Sequence, residues 1–158
     1  MNPLTSDTIA ALTATALERT AFMLSERVEP DARDLAAATR CAVIEYRGPS
    51  TGSVGVRATP AFLRALAAGL LGVEPSDVTD EASATDALKE LGNLLGGSVV
   101  LELGGRDSSY SLGLPGVVDP KDPRISGADA AVVATLDCEG ELLQVIWTPG
   151  ASSSAKAA

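Results

Sequence analysis

Asp86, Glu90, Asn93 and Gly97 recur at i, i+4, i+7 and i+11 within Asp86-Ala-Leu-Lys-Glu90-Leu-Gly-Asn93-Leu-Leu-Gly-Gly97. At about 100° per residue they fall on one narrow stripe of a helix. The stripe carries two carboxylates and a carboxamide and ends in glycine. Leu88, Leu91 and Leu95, flanked by Ala84 and Ala87, point the other way and read as core. The polar side is locally costly. Two like charges at i, i+4 cost roughly a few tenths of a kcal/mol, and Gly92, Gly96 and Gly97 cost about 1 kcal/mol each against alanine. A helix that gives up this much local stability is a candidate for a surface that something else must approach closely. The chain has no histidine, so the usual Ser-His or Cys-His nucleophile is closed to it.

Composition narrows the remaining chemistry. A chain of 158 residues makes one domain of ordinary size, able to bury roughly 68–70% of its unfolded surface. Aromatics are 3%, so the core must be built from Leu, Val, Ile and Ala. Net charge is -9 at pH 7. That argues against nucleic acid, whose phosphates need clustered Lys or Arg, and against an anionic membrane surface. The charge reads first as solubility, and second as an acidic face for a basic partner. Cys41 and Cys138 lie far apart, which fits neither a metal site nor a disulfide framework. With no clustered ligands for zinc, neither a metal site nor a cofactor of the chain's own is expected. No signal peptide and no apolar run near the ~18 residues of a membrane span are visible. A cytoplasmic location is expected by elimination.

Elements must hold the stripe in place. A first helix is expected from about Ser6 to Arg27, capped by Ser6 or Asp7, with Ile9, Leu12, Ala16, Phe22 and Met23 as its apolar contacts. Residues 31–40 have no clear assignment. Cys41–Tyr46 and Ser53–Ala58 read as a hairpin across the turn Gly48–Gly52. Thr59-Pro60 opens a second helix, and Gly72 ends it. The stripe helix starts near Asp80-Glu81, where acids suit the helix dipole, and runs to about Gly97. Val99–Leu103 can extend it or begin a strand, and Gly104-Gly105 breaks the chain. Tyr110–Pro115 reads as a strand with proline at its end or on an edge, and 119–129 as a loop. Ala130–Leu136 and Glu141–Trp147 form the clearest hairpin. Helix, two strands, helix, helix and three strands make an α+β fold, with a hint of a helix-then-strands unit used twice. One domain is expected over 1–148, with a disordered tail over 149–158.

The pattern Asp86-xxx-Glu90-xx-Asn93, followed by Gly96-Gly97 and later by Pro115, resembles the CheC/CheX chemotaxis phosphatases. Glu90-Leu-Gly-Asn93 is close to the CheX form. Leu112-Gly-Leu-Pro115-Gly-Val-Val118 resembles that family's strand-ending proline segment. Thr59-Pro-Ala-Phe-Leu resembles the opening of its second helix. The likeness runs from about Asp7 to Trp147.

The resemblance implies a fold: an antiparallel sheet packed with three helices in a pseudo-duplicated α-β-β arrangement. It also implies a substrate, a CheY-like response-regulator receiver domain phosphorylated on aspartate, which brings its own Mg2+. Asn93 would orient the attacking water. Glu90 would pair with a lysine of the receiver and dock the helix. Asp86 would support the stripe or touch the receiver, though a first-turn acid is also favoured by the dipole alone. Gly92, Gly96 and Gly97 would admit either the partner or a neighbouring helix of the same chain. Family members with two sites carry a second Glu-xx-Asn on the first helix. Here Glu18 is followed three residues later by Ala21, which implies a single-site, CheX-like member and, by analogy, a homodimer. The same fold could instead serve as a non-catalytic receiver-binding adaptor or dimerisation module, or the chain could be an unrelated structural α+β domain.

Overall fold

A computed structural model describes residues 4–104, 109–127 and 131–150. Gly105, Ala130 and the tail from residue 151 lie outside the described residues. In chain order the elements are α1 (Ser6–Ala21), β1 (Ser25–Arg27), α2 (Ala32–Ala37), β2 (Arg40–Arg47), β3 (Gly52–Ala58), α3 (Pro60–Leu71), α4 (Glu81–Gly104), β4 (Ser111–Leu112), β5 (Gly116–Val118), α5 (Pro123–Ser126), β6 (Val132–Cys138) and β7 (Glu141–Pro149).

The seven strands among the described residues form one antiparallel sheet in the order β1-β6-β7-β3-β2-β4, with β5 also paired to β2. This order is a palindrome of two halves. The first half, α1 to β3, lends β1 to the second half's β6, and the second half lends β4 and β5 to the first half's β2. Strands β3 and β7 meet at the centre with Val54 opposite Trp147. The expected α+β duplication is therefore a property of the topology.

Alternation along these strands sorts their side chains. Ala42, Ile44, Val54, Val56, Val145 and Trp147 enter the main core beneath α1, α3 and α4. Trp147 is buried, and its indole N–H donates to Tyr46 Oη at 3.0 Å. On the opposite face, Cys41, Val43 and Ile125 of α5 form a smaller cluster. Burial pushes the Cys41 thiol up to about 11 and the Cys138 thiol up to about 12. Both are free and stay protonated, so they act as small hydrophobes.

Several boundaries differ from the expectation, each for a local reason. α1 is capped by Thr5, whose hydroxyl accepts from the Thr8 N–H, while Ser6 instead donates to the Val133 carbonyl at 2.7 Å. It ends at Ala21 rather than Arg27. Phe22 takes a left-handed conformation at φ 57 and is 82% exposed, so it caps the helix and contributes nothing to the core. Ser25–Arg27 then pair with Leu136–Cys138 as an edge strand, and Arg27 forms an ion pair with Asp7. The connector 31–40 contains α2, whose Leu35 and Ala38 carbonyl region receives the Arg57 guanidinium. Of the expected strand Tyr110–Pro115 only Ser111–Leu112 is a strand, and a further strand follows at Gly116–Val118. Ser111–Leu112 pair with Tyr46–Arg47, and Gly116–Val118 pair with Cys41–Val43. Pro115 has no N–H for the ladder and stands in the gap. The expected loop 119–129 holds α5, started by Asp122, which accepts from the Arg124 N–H at 2.9 Å. Pro149, the first residue of the expected tail, closes β7 opposite Gly52.

Candidate active-site helix

α4 spans 24 residues, roughly 36 Å at the α-helical rise. Val99–Leu103 belong to it, so it is longer than the periodicity of the leucines alone suggests. Asp80 stands at its N-cap position and accepts from the Ser83 N–H at 3.1 Å and from the Ser83 hydroxyl at 2.9 Å. Those hydrogen bonds hold the Asp80 carboxyl below its ordinary value. A capped first turn sets the phase of the residues that follow.

Leu88, Leu91, Leu95 and Val99 are buried against α3 and the core-facing side of β2 and β3. That anchorage turns the other side outward. Asp86, Glu90 and Asn93 are all exposed on it, and Gly97, one turn further on, is half-buried. Neither carboxylate has an ion-pair partner among the described residues, and the Asn93 amide makes no hydrogen bond there. Two acceptor groups and one amide are thus presented to solvent on a rigid support. The described residues contain no group of three or more His, Cys, Asp or Glu placed to hold a metal ion.

The three glycines have different surroundings. A Cβ at Gly96 would sit 2.9 Å from Ile44 Cγ2 and 3.2 Å from a Leu112 methyl. Gly96 is therefore the close-packing glycine that lets α4 lie on β2, so the element it admits is a strand and not the neighbouring helix expected. At Gly97 a Cβ would meet nothing within 4 Å. A Cβ at Gly92 would meet only Pro115, at 3.9 Å. Pro115 thus does more than end a strand: the β4–β5 break carries it against α4, one residue before Asn93. The separation of Pro115 from Asn93 in the chain gave no hint of this proximity.

The glycines yield an opposed pair of expectations. Gly97→Ala should raise the thermal stability of the free protein by about 1 kcal/mol, the helix-propensity gain without a clash. Gly96→Ala should lower it by about 1–2 kcal/mol, because overpacking against Ile44 outweighs that gain. Urea melts of the two variants check both signs. A stabilised Gly96→Ala would contradict the packing role assigned to that position.

The first helix offers no equivalent stripe. Ala21, three residues after Glu18, is buried, and a Cβ at Gly69 of α3 would lie 2.6 Å from its carbonyl oxygen. α3 covers the position where a second amide would have to stand.

Residues 40–139 match the family model described as Chemotaxis phosphatase CheX. The match takes in 100 of the 158 residues and contains the whole of α4. The chain belongs to this family. Solved structures share its fold across nearly its full length. A chemotaxis protein CheX from Desulfovibrio desulfuricans is 18% identical, with a TM-score of 0.68, covering 91% of this chain and 97% of that one. Chemotaxis protein CheX from Vibrio vulnificus is 17% identical, with a TM-score of 0.69, covering 90% and 94%. A third, from Borrelia burgdorferi, was solved as a CheX-CheY-BeF3-Mg2+ complex and is 14% identical, with a TM-score of 0.63, covering 89% and 94%. At these identities the likeness is one of fold. No curated protein sequence matches significantly. For this CheX family member, the expected sheet and its three covering helices α1, α3 and α4 are those of the family. No helix among its described residues is long and apolar enough to cross a membrane.

Proposed function

We propose that this CheX family member hydrolyses the aspartyl phosphate of a CheY-like response-regulator receiver domain, using the exposed stripe of α4. The observation that carries the reading is the stripe itself. Asp86, Glu90 and Asn93 lie unpaired on the outer face of a helix whose inner face is locked by leucines, inside the region that matches the chemotaxis phosphatase model. The Borrelia relative, solved with CheY and the phosphoryl mimic BeF3, supports the choice of partner.

In this reading water attacks the phosphorus, the bond to the receiver's carboxyl oxygen breaks, and inorganic phosphate and a free aspartate result. A carboxamide is no base near neutral pH, so Asn93 acts by placing the water, as a glutamine does in GTPases. Holding the reactants in line can itself supply much of a rate enhancement. Glu90 forms an ion pair with a receiver lysine and docks the helix. Asp86, one turn earlier, meets the receiver's surface, and Gly97 leaves room for its backbone. The receiver carries Mg2+ with its phosphoryl group. This chain supplies placement and charge, and works as a cytoplasmic protein.

The test is release of phosphate from a phosphorylated receiver domain of the same organism with and without the protein. Faster release in its presence is expected, and an unchanged rate would contradict the proposal. Glu90→Ala should weaken receiver binding about ten- to hundredfold, the scale of a charge-assisted contact. Isothermal titration checks this, and unaltered affinity would remove the docking role. A homodimer belongs to the same proposal. It is supported by the β5 edge, unpaired among the described residues, where Val117 is exposed and the neighbouring Leu114 is 93% exposed. Light scattering reading a monomer at micromolar concentration would count against it.

A further inference from the structure

Beside the stripe, α3 and α4 leave a groove of about 240 Å³ between them. Its apolar surface comes from Leu70, Leu71 and Ala87, while Ser83, Asp86 and Glu90 stand along its α4 side. Ala87 is buried and Leu70 half-buried, but Leu71 is 64% exposed in the last turn of α3. Gly72 ends that helix in a left-handed conformation at φ 74, which holds Leu71 at the rim. The groove is large enough for one side chain of leucine or phenylalanine size. Its two carboxylates form no ion pair within the described residues, although the chain carries twelve Lys and Arg.

We propose that this groove is the receiver-selecting pocket. It takes one apolar side chain of the receiver, flanked on the receiver's surface by a lysine or arginine that meets Asp86. The proposal rests on the receiver reading above and deepens it, separating selection of the partner from hydrolysis. Complementarity favours this occupant. An apolar floor edged by two unpaired carboxylates, on a chain of net charge -9, fits a ligand that is apolar at its tip and cationic beside it. A purely apolar ligand would leave those carboxylates partly desolvated and unpaired, which costs binding energy. Asp86 and Glu90 belong both to the groove and to the stripe, so the groove lies beside the hydrolytic face without including Asn93.

The experiment uses the full chain and the organism's chemotaxis receiver domain loaded with BeF3 and Mg2+. Affinity is measured by titration, and steady-state hydrolysis is measured on the phosphorylated form. Leu71→Gln removes the apolar rim at an exposed position, and Ser83→Phe fills the groove from the α4 side. Each should weaken affinity about tenfold and raise KM to match, with kcat unchanged. Circular dichroism melts close to that of the wild type confirm that the fold is intact. Wild-type affinity and KM in both variants would overturn the pocket while leaving the phosphatase reading in place. A wild-type protein that neither binds nor dephosphorylates the receiver would remove both. If the variants alter self-association and leave receiver affinity alone, the groove joins copies of this chain and the proposal falls.

Discussion

Asn93→Ala should lower the rate of receiver dephosphorylation by about 10²-fold or more, the scale for losing one positioned catalytic donor. The position is well suited to a clean result. Asn93 is exposed and makes no hydrogen bond within the described residues, and alanine is a better helix former than asparagine. The variant should therefore melt no lower than the wild type. Receiver affinity should hold, because Glu90 and the groove are untouched. The loss then lies in kcat, as it must for an interaction made only in the transition state. Single-turnover release of phosphate measures it. Equal rates for variant and wild type would leave a protein that binds a receiver without hydrolysing anything, which is the adaptor reading of the same fold.

The second large effect is on stability. Leu91 is 1% exposed and sits between Glu90 and Asn93 in the chain, facing the opposite way. Leu91→Ala should destabilise the protein by about 2–5 kcal/mol, since the truncated side chain leaves a cavity that a packed interior fills only in part. For a domain of this size that lowers the melting temperature by roughly 4–20 °C. The core holds the stripe outward without touching substrate, so turnover per folded molecule well below the melt should stay close to wild type. Calorimetry and a hydrolysis assay at low temperature check both parts. A melting temperature equal to wild type would mean that α4 is not anchored as described.

These two residues also show how much of the site the sequence disclosed. The 3.6-residue period placed Leu91 inward and Asn93 outward, and the structure keeps that division because the core demands it. The same signal gave no means of separating Gly96 from Gly97. Both read as glycines of one helix end, yet one is pressed on Ile44 and the other faces open space. That difference is set by β2, which is some fifty residues away in the chain. Phe22 failed for a related reason. Its apolar ring was expected among the contacts of the first helix, but a left-handed turn at that residue ends the helix and turns the ring to solvent. Edge pairing was also hidden. Ser25–Arg27 has no β-branched residue and is a strand only because β6 is there to pair with it. Short, half-polar strands and the groove between α3 and α4 are products of tertiary packing, which local periodicity does not carry.

In the proposed function the outer face of α4 meets the receiver's phosphorylation site. A crystal structure of this protein bound to its BeF3- and Mg2+-loaded receiver tests it most directly. The Asn93 amide should lie within about 3.2 Å of a fluoride or of a water resting against the beryllofluoride, with Glu90 paired to a receiver lysine. A complex in which the receiver sits elsewhere and leaves Asn93 in solvent would contradict the account.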